Sequence, residues 1–419
     1  MDPTGYRCIM IRLATGERHP VLLTRSSGLP PRLPRLFSLF WLRKRRTGAE
    51  VGRSKLRSVG ELYHHFAQLG QDLDSMFQAG ECPEPPEFVR AFERMAYGAT
   101  GRKLSRVTSK TVAGQNRRMY HWIEFITWVL RPLNWSTKKW PSQKLTMLAE
   151  LRAEIASLLR DQWQQPQQSK QREGFTADEI AAIEAAIGPG SDGKFSLRVF
   201  ASHTRPRNWA LYSIIRDGGI RRGEALVVQI GDLPRPITVG GVRHYVRAEV
   251  DLVRRPDDAE DPRVARAPGL KRGGRPVALS DRALDAIWDY IKAPSPSGKG
   301  TDHEAAIERQ YLITTKEGVP ISVDTAHGIA RSIRRYASLV FEERHPGVPH
   351  SLNEFCWHRL RHHRALEVLE AFQASGMESL DEFLEYFGWG SVRSAKPYIR
   401  RLLSRRANER VLRLQAGDV

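Results

Sequence analysis

The chain has 419 residues, with 66 Lys or Arg against 47 Asp or Glu, so its formal net charge is +19. A chain of this length accommodates two or three domains with their own hydrophobic cores, and so large a positive surplus favours a polyanionic partner, nucleic acid before an anionic membrane. No stretch approaches the about 20 apolar residues of a membrane span, and LFSLFWL at 36–42 is too short and too internal for a signal peptide. A soluble cytoplasmic protein, associated with the nucleoid of a bacterium, is therefore expected.

The content of metal-binding side chains is low. The three cysteines lie far apart in the sequence and are odd in number, which argues against a disulfide framework and against a cysteine zinc cluster. Cys356, His358, His362 and His363 form the densest group of possible ligands, but no second group accompanies them across a loop. We therefore expect no metal and no cofactor.

The first half of the chain divides at residue 54. Residues 1–53 have weak periodicity, a Pro-rich GLPPRLPRLF and a basic RKRR at 43–46, which indicates a loosely ordered basic arm. After it, apolar residues recur at helical spacing and predict helices at 54–77, 86–97, 111–130 and 142–160. Residues 54–162 are thus predicted to form a small all-helical domain, and the Gln-rich stretch 163–173 a linker.

The second half, 174–419, begins with a clear helix start. Thr176 is an N-cap with Glu179 three residues later, and Phe175 and Ile180 are spaced as a hydrophobic staple. A helix is predicted at 207–216, and another after the glycines of DGGIRRGEALVVQIGDL.

The same half contains the β-structure. ITVGGVRHYVRAEVDLV alternates on both sides of Gly240 and Gly241, which predicts a hairpin, and RPVALS predicts a third strand. Helices are predicted at 281–292 and from 324 onwards. The chain is therefore expected to be mainly α, with one small antiparallel sheet in its second half.

Three clusters in this half carry chemistry. Arg221 and Glu224 follow a glycine turn, and Arg-x-x-Glu at a helix start makes an anion-binding corner, although surface pairs at this spacing are common. His358, Arg361 and His362 share one helix face, which suits a phosphate grip or an ordinary basic surface. Tyr398 follows Trp389 by nine residues, and a tyrosine taken alone is more often a core or surface packing residue than a nucleophile.

Taken in chain order, four segments closely resemble the motifs of the tyrosine recombinases, or phage integrase family. The segments are GGIRRGEALVVQIGDL, LKRGGRPVALS, HRLRHHRA and FGWGSVRSAKPYI. The resemblance covers 174 to about 402 and extends more loosely to 105–130. It implies a SAM-like helical core-binding domain followed by an α+β catalytic domain over 174–419, ending in a tail helix.

The resemblance also implies a reaction, which is site-specific exchange of DNA strands through a covalent 3′-phosphotyrosyl intermediate. Tyr398 would be the nucleophile. Arg221 and Arg361 would clamp the non-bridging oxygens of the scissile phosphate, and Glu224 would support Arg221. Storage of the bond energy in a phosphotyrosine makes ATP and a metal ion unnecessary, and fixed guanidinium groups suit the charge that develops on phosphorus.

Three further roles follow from the resemblance. His358 would assist proton transfer, and Trp389 occupies the position that is His in most members and Trp in some. Lys271 would be the general acid for the 5′-hydroxyl leaving group. An acidic insertion, RPDDAEDP at 255–262, lengthens the preceding connection, so Arg266 or Arg272 is an alternative for this role.

The implied partner is double-stranded DNA, bound by a homotetramer on paired sites, with accessory DNA-bending or element-encoded proteins as further partners. A mobile genetic element is the expected context. A type IB topoisomerase shares the chemistry as a monomer, and a non-catalytic DNA-binding regulator would share the fold. An amphipathic tail after Tyr398, donated to a neighbouring protomer, would favour the recombinase. Its apolar residues are Leu402, Leu403, Val411 and Leu414.

Overall fold

The chain divides into two compact units, Met1–Lys170 with Asp257–Glu260 and Gln171–Pro256 with Asp261–Val419. The computed structural model describes residues 5–45, 47–97, 109–165, 174–190, 193–195, 199–255, 258, 261–264, 268–270, 273–293, 311–374, 380–396, 398–399 and 411.

The first unit combines a β-hairpin with helices. Its strands are β1 (Tyr6–Arg12) and β2 (Arg18–Thr24), which pair antiparallel. Its helices are α1 (Arg32–Leu36), the π-helical turn Phe37–Leu42, α2 (Ala49–Gln68), α3 (Leu73–Ala79), α4 (Pro85–Tyr97), α5 (Ser109–Val129), the 3₁₀ turn Pro132–Asn134 and α6 (Ser142–Asp161).

The hairpin and the π-helical turn belong to the core of this unit. The hairpin packs on α2, and the buried Phe37 meets Phe125 and Trp128 of α5 edge to face, with ring centroids 5.3 Å apart in both pairs. The interpretation of 1–53 as a loosely ordered arm is therefore wrong for residues 5–45, because their apolar side chains complete the core. The predicted boundaries at 54, 162 and 174 stay predictions.

The helix predicted over 54–77 is interrupted. Gly70 has a positive φ of 73°, a conformation that glycine adopts without steric cost and that ends α2. Asp72 then caps α3, its side chain accepting a hydrogen bond from the amide of Asp74 at 3.0 Å. The other three predicted helices correspond to α4, α5 and α6.

The described part of the second unit is helical with two small sheets. Its helices are α7 (Ala177–Ile187), the 3₁₀ turn Ser202–Thr204, α8 (Arg205–Gly218), α9 (Arg222–Ala225), the 3₁₀ turn Ile230–Asp232, α10 (Asp281–Lys292), α11 (Val323–Arg344), the 3₁₀ turn Leu352–Glu354, α12 (Trp357–Ala374) and α13 (Leu380–Tyr386). Its strands are β3 (Pro236–Val239), β4 (Val242–Tyr245), β5 (Glu249–Leu252) and β6 (Arg275–Ala278). Residues 392–396 and 398–399 are also helical.

Helix α8 is central in this unit, since α10 and α12 both pack on it, while α7 packs on α11. The predicted capping box at the start of α7 is present. Thr176 Oγ1 accepts from the amide of Glu179 at 3.1 Å, and the Glu179 carboxylate accepts from the amide of Thr176 at 2.8 Å.

The β-structure differs from the single sheet that was expected. The predicted hairpin forms as β3 and β4, with Gly240 and Gly241 at φ 60° and 81° in its turn. The rest of that stretch is β5, which pairs antiparallel with β6, so the described part of this unit has two separate two-stranded sheets. The helix predicted after the glycine turn is also only the four-residue α9.

Across the described residues the chain is mainly helical with small antiparallel sheets, which confirms the predicted fold class. None of the described helices is long and apolar enough to cross a membrane.

Candidate active site

A buried carboxylate organises the site at the start of α9. Gly219 ends α8 with a φ of 58° and turns the chain towards Arg221. The Glu224 side chain folds back on that turn and accepts from the Arg221 amide at 2.8 Å and from its Nη1 at 2.7 Å. Glu224 is 1% exposed, so its charge needs partners in the protein.

Three guanidinium groups supply those partners. Besides Arg221, Arg275 Nη2 donates to Glu224 Oε2 at 3.2 Å, and Arg361 Nη1 lies 3.8 Å from the same oxygen. Burial alone would raise the pKa of Glu224, but the charges of Arg275 and Arg361 and the Arg221 amide outweigh burial and lower it. Three positive charges against one negative leave a surplus of two in this cluster.

Arg361 is the most buried of the three. It is 2% exposed and donates to the carbonyl oxygens of Gly219 at 2.6 Å and Phe387 at 2.7 Å. Its guanidinium also lies 5.4 Å from the ring centroid of Trp389. Burial, with repulsion from Arg221, lowers the pKa of Arg361 to about 9, so an anion placed in this cluster would relieve an electrostatic cost.

Arg275 also belongs to this cluster, although the sequence did not predict it as a site residue. It begins β6, and its Nε donates to the carbonyl oxygen of Tyr386 at 2.9 Å. It thereby joins the Glu224 cluster to the end of α13, just before Phe387 and Trp389. An arginine at the first position of a short strand gives no sequence signal for such a contact.

Tyr398 lies in an aromatic stack. Its ring packs on Trp389, with centroids 5.1 Å apart and planes 21° apart, and Trp389 packs in the same way on Phe387. The tyrosine is 7% exposed. Because Arg361 binds the Phe387 carbonyl and lies over Trp389, the stack and the arginine cluster are adjacent.

Two histidines of α12 complete the site. The Tyr398 hydroxyl is hydrogen-bonded to Nδ1 of His362, and the His362 ring meets the His358 ring edge to face at 4.2 Å. The sequence placed His358, Arg361 and His362 on one helix face, and the family resemblance gave the proton-transfer role to His358. In the structure it is His362 that contacts Tyr398.

Helix α12 is held in place by contacts on both sides. Arg216 of α8 makes a two-point ion pair with Glu367, each bond 2.7 Å long, and Trp357 Nε1 donates to the carbonyl oxygen of Ala326 on α11 at 2.8 Å. Arg361 and the two histidines are therefore presented by a fixed element, as a preorganised site requires.

The structure thus brings together six of the seven residues that the resemblance singled out. These are Arg221, Glu224, His358, Arg361, Trp389 and Tyr398. The seventh, Lys271, lies outside the described residues, as do Arg266, Arg272 and the predicted tail apart from Ile399 and Val411. The described residue Gly269 lies beside α9, since a Cβ on Gly223 would be 3.4 Å from its carbonyl oxygen.

Within the described ranges, no three His, Cys, Asp or Glu side chains are grouped so as to hold a metal ion. The segment from Cys356 to His363 is among these described residues.

The chain matches no protein-family profile and no curated protein sequence. It does resemble solved structures. The XerH site-specific recombinase bound to palindromic difH substrate, in a post-cleavage complex, superposes with a TM-score of 0.50 at 14% identity, over 89% of this chain and 82% of that one. The pre-cleavage complex of XerH with difH substrate gives a TM-score of 0.48 at 14% identity, over 91% and 85%.

An identity of 14% with a TM-score of 0.50 establishes shared architecture. Together with the mainly helical second unit and its small sheets, the likeness confirms the fold that the four motifs predicted. The chain has the fold of the tyrosine recombinases.

Proposed function

We propose that the chain is a site-specific DNA recombinase that cleaves and rejoins strands through a covalent 3′-phosphotyrosyl intermediate. One observation carries the proposal. Tyr398 stacks on Trp389, and the same indole ring lies against Arg361 of a cluster in which three arginines surround one buried carboxylate. Surplus positive charge in a buried place is costly unless an anion completes it, and a phosphodiester next to a phenol is an anion that this tyrosine can attack.

Each residue then has a task. Arg221 and Arg361 bind the non-bridging oxygens of the scissile phosphate and stabilise the charge that builds up on them. Glu224 holds both guanidinium groups in position through its carboxylate. Trp389 supports the phenol ring, and Lys271 protonates the 5′-oxygen as it leaves.

The partner and context follow from charge and fold. A net charge of +19 suits duplex DNA, and the XerH complex with the same fold contains a palindromic substrate after cleavage. We infer that this chain acts on paired sites as a homotetramer, for a mobile genetic element and with accessory DNA-bending proteins.

The test is capture of the covalent adduct. The full chain is incubated with sheared genomic DNA from its source cell, denatured in detergent, and the DNA that stays on the protein is sequenced. We expect one enriched site with wild type, none with Tyr398→Phe, and unchanged capture with Tyr336→Phe, a tyrosine of α11. The free end of the cleaved strand should accept phosphate from polynucleotide kinase, because a 3′-linkage leaves a 5′-hydroxyl.

Two results would contradict the proposal. Capture by Tyr398→Phe at the wild-type level would remove the nucleophile, and absence of capture by wild type would leave a DNA-binding regulator. Rejoining to a second duplex carrying the recovered site would then separate a recombinase from a topoisomerase, which reseals the original strand.

A further inference from the structure

The imidazole of His362 is the group in contact with the nucleophile. Its Nδ1 is hydrogen-bonded to the Tyr398 hydroxyl, and the two rings lie 5.2 Å apart with an interplanar angle of 35°. His362 directly follows Arg361 on α12, so the helix that supplies the buried guanidinium also supplies this nitrogen.

We propose that His362 is a catalytic residue, the general base that takes the phenolic proton of Tyr398 during strand cleavage. This assignment rests on the proposed function. A neutral imidazole with its proton on Nε2 presents Nδ1 as a hydrogen-bond acceptor, and imidazole titrates near neutral pH, which suits a general base.

His358 has a different place in this arrangement. Its ring meets the His362 ring edge to face at 4.2 Å, with planes 67° apart. It therefore borders the imidazole that contacts the phenol, and it is exposed where His362 is half-buried. Proton transfer from Tyr398 therefore runs to His362, and His358 lies next to that ring.

Strand cleavage moves two protons, one from Tyr398 and one to the leaving oxygen. The oxygen of Tyr398 forms a bond to phosphorus while its proton passes to Nδ1 of His362. The bond between phosphorus and the 5′-oxygen breaks, and its electron pair stays on that oxygen, which takes a proton from a separate acid, Lys271 in the proposed function. In rejoining, His362 returns the proton to the phenolic oxygen as the phosphotyrosine bond breaks.

A DNA-free measurement tests the contact. The full chain is labelled with 3-fluorotyrosine at position 398, and the ¹⁹F resonance is followed from about pH 5 to 8, the range in which imidazole titrates. We expect a pH-dependent step in the wild-type background and in His358→Asn, and its loss in His362→Asn. Persistence of the step in His362→Asn, or its loss in His358→Asn alone, would overturn the assignment.

A kinetic measurement tests the catalytic role on the duplex recovered by adduct capture. His362→Asn should lower the single-turnover cleavage rate by about 100-fold or more, and His345→Asn, at the end of α11, should leave it unchanged. Imidazole in the buffer should partly restore cleavage by His362→Ala, since the small base can enter the space that the ring vacates.

A modified substrate separates base from acid. Sulfur in place of the bridging 5′-oxygen leaves without a proton, so it should restore cleavage by Lys271→Ala and not by His362→Asn. Restoration of His362→Asn by sulfur, or a rate within about threefold of wild type on the ordinary duplex, would overturn the role of His362 and leave the proposed function standing. Absence of any wild-type adduct would instead overturn the proposed function and this role with it.

Discussion

Arg359 and Arg361 stand two residues apart on α12 and are equally buried, each 2% exposed. Arg359 donates to the carbonyl oxygens of Ser351 at 2.8 Å and Gly174 at 3.2 Å, and to the hydroxyl of Ser351. Its guanidinium also lies 4.6 Å from the centroid of the Phe175 ring. These contacts join α12 to the start of the second unit's helical core.

Arg361 has neighbours of another kind. It also donates to two backbone carbonyls, but the charges around it are Arg221, Arg275 and one shared carboxylate, Glu224. Arg359 Nη1 lies 3.4 Å from the carboxylate of Glu354, so its charge has a counter-ion, whereas Arg361 shares its one carboxylate, Glu224, with two other cations.

Burial alone therefore does not separate a functional arginine from a structural one. Hydrogen bonds offset the cost of desolvation at both positions. Only the cluster around Arg361 holds a positive surplus that a phosphate would complete, and only that cluster adjoins Tyr398. The local charge balance is the feature that distinguishes the two roles.

Matched substitutions test this distinction and have the largest expected effect. Arg361→Gln should fold and lower the rate of covalent adduct formation by about 1,000-fold, because a fixed donor to the transition state is lost. Arg359→Gln should lower the melting temperature by about 5–10 °C, because a buried network loses its centre. The measurements are single-turnover cleavage and a thermal melt on both variants.

We expect Arg361→Gln to lose mainly cleavage and Arg359→Gln to lose mainly stability. Arg359→Gln, assayed well below its melting temperature, should cleave within about tenfold of wild type. Equal loss of cleavage in both variants, with equal loss of stability, would show that charge balance does not distinguish these arginines.

Some residues of this cluster could be predicted from the sequence, and one could not. Arg221, Glu224, Arg361 and Tyr398 lie in motifs with recognisable spacing, so they could be predicted. Arg275 could not, because its contact joins β6 to the end of α13 across 111 positions of sequence.

Two other differences have a similar cause. Which histidine of α12 meets Tyr398 depends on the position of the segment after α13, and a helix pattern does not determine that position. The hairpin at 6–24 was missed because its residues only become a core component when α2 packs against them. Capping residues such as Thr176, whose hydrogen bonds are local, were predicted correctly.

Gly388 lies in the segment that follows α13, close to Arg275 of the cluster. It has a φ of 58°, and a Cβ there would lie 2.7 Å from Nη1 of Arg275. Gly388→Ala should cost about 1 kcal/mol in backbone strain and also displace Arg275 from Glu224. We expect a fall of about tenfold in the single-turnover cleavage rate, since a positioning contact is disturbed and no donor is removed.

Gly318 is the matched control for that substitution. It has a φ of 81° in a turn, and a Cβ at this position would meet no atom of the described residues within 4 Å. Gly318→Ala should lower the melting temperature by a similar few degrees and leave cleavage unchanged. If both variants cleave equally, the approach of Gly388 to Arg275 has no part in positioning the cluster.

Glu367, on the same helix as Arg361, is a second carboxylate with several cationic neighbours. Its substitution tests whether such a carboxylate affects cleavage as Glu224 does. It contacts Arg216, His363 and Arg364, but about a third of its side chain is exposed, so solvent screens these charges. Burial would raise its pKa, yet the contacts with His363 and Arg216 lower it to about 2. Glu367→Gln should therefore affect stability and leave the cleavage rate of the folded protein unchanged.

The effect should depend on pH in a defined direction. A carboxyl group whose pKa is lower in the folded chain stabilises it above the ordinary value of 4.5, and this contribution is lost as the pH falls towards about 2. At pH 7 the melting temperature of Glu367→Gln should lie about 3 °C below that of wild type. Below pH 4.5 the two melting curves should converge, whereas Glu385→Gln, an exposed residue of α13, should follow wild type throughout. A difference that stays constant down to about pH 3 would mean that Glu367 acts through shape and not through charge, and that the electrostatic contrast with Glu224 does not hold.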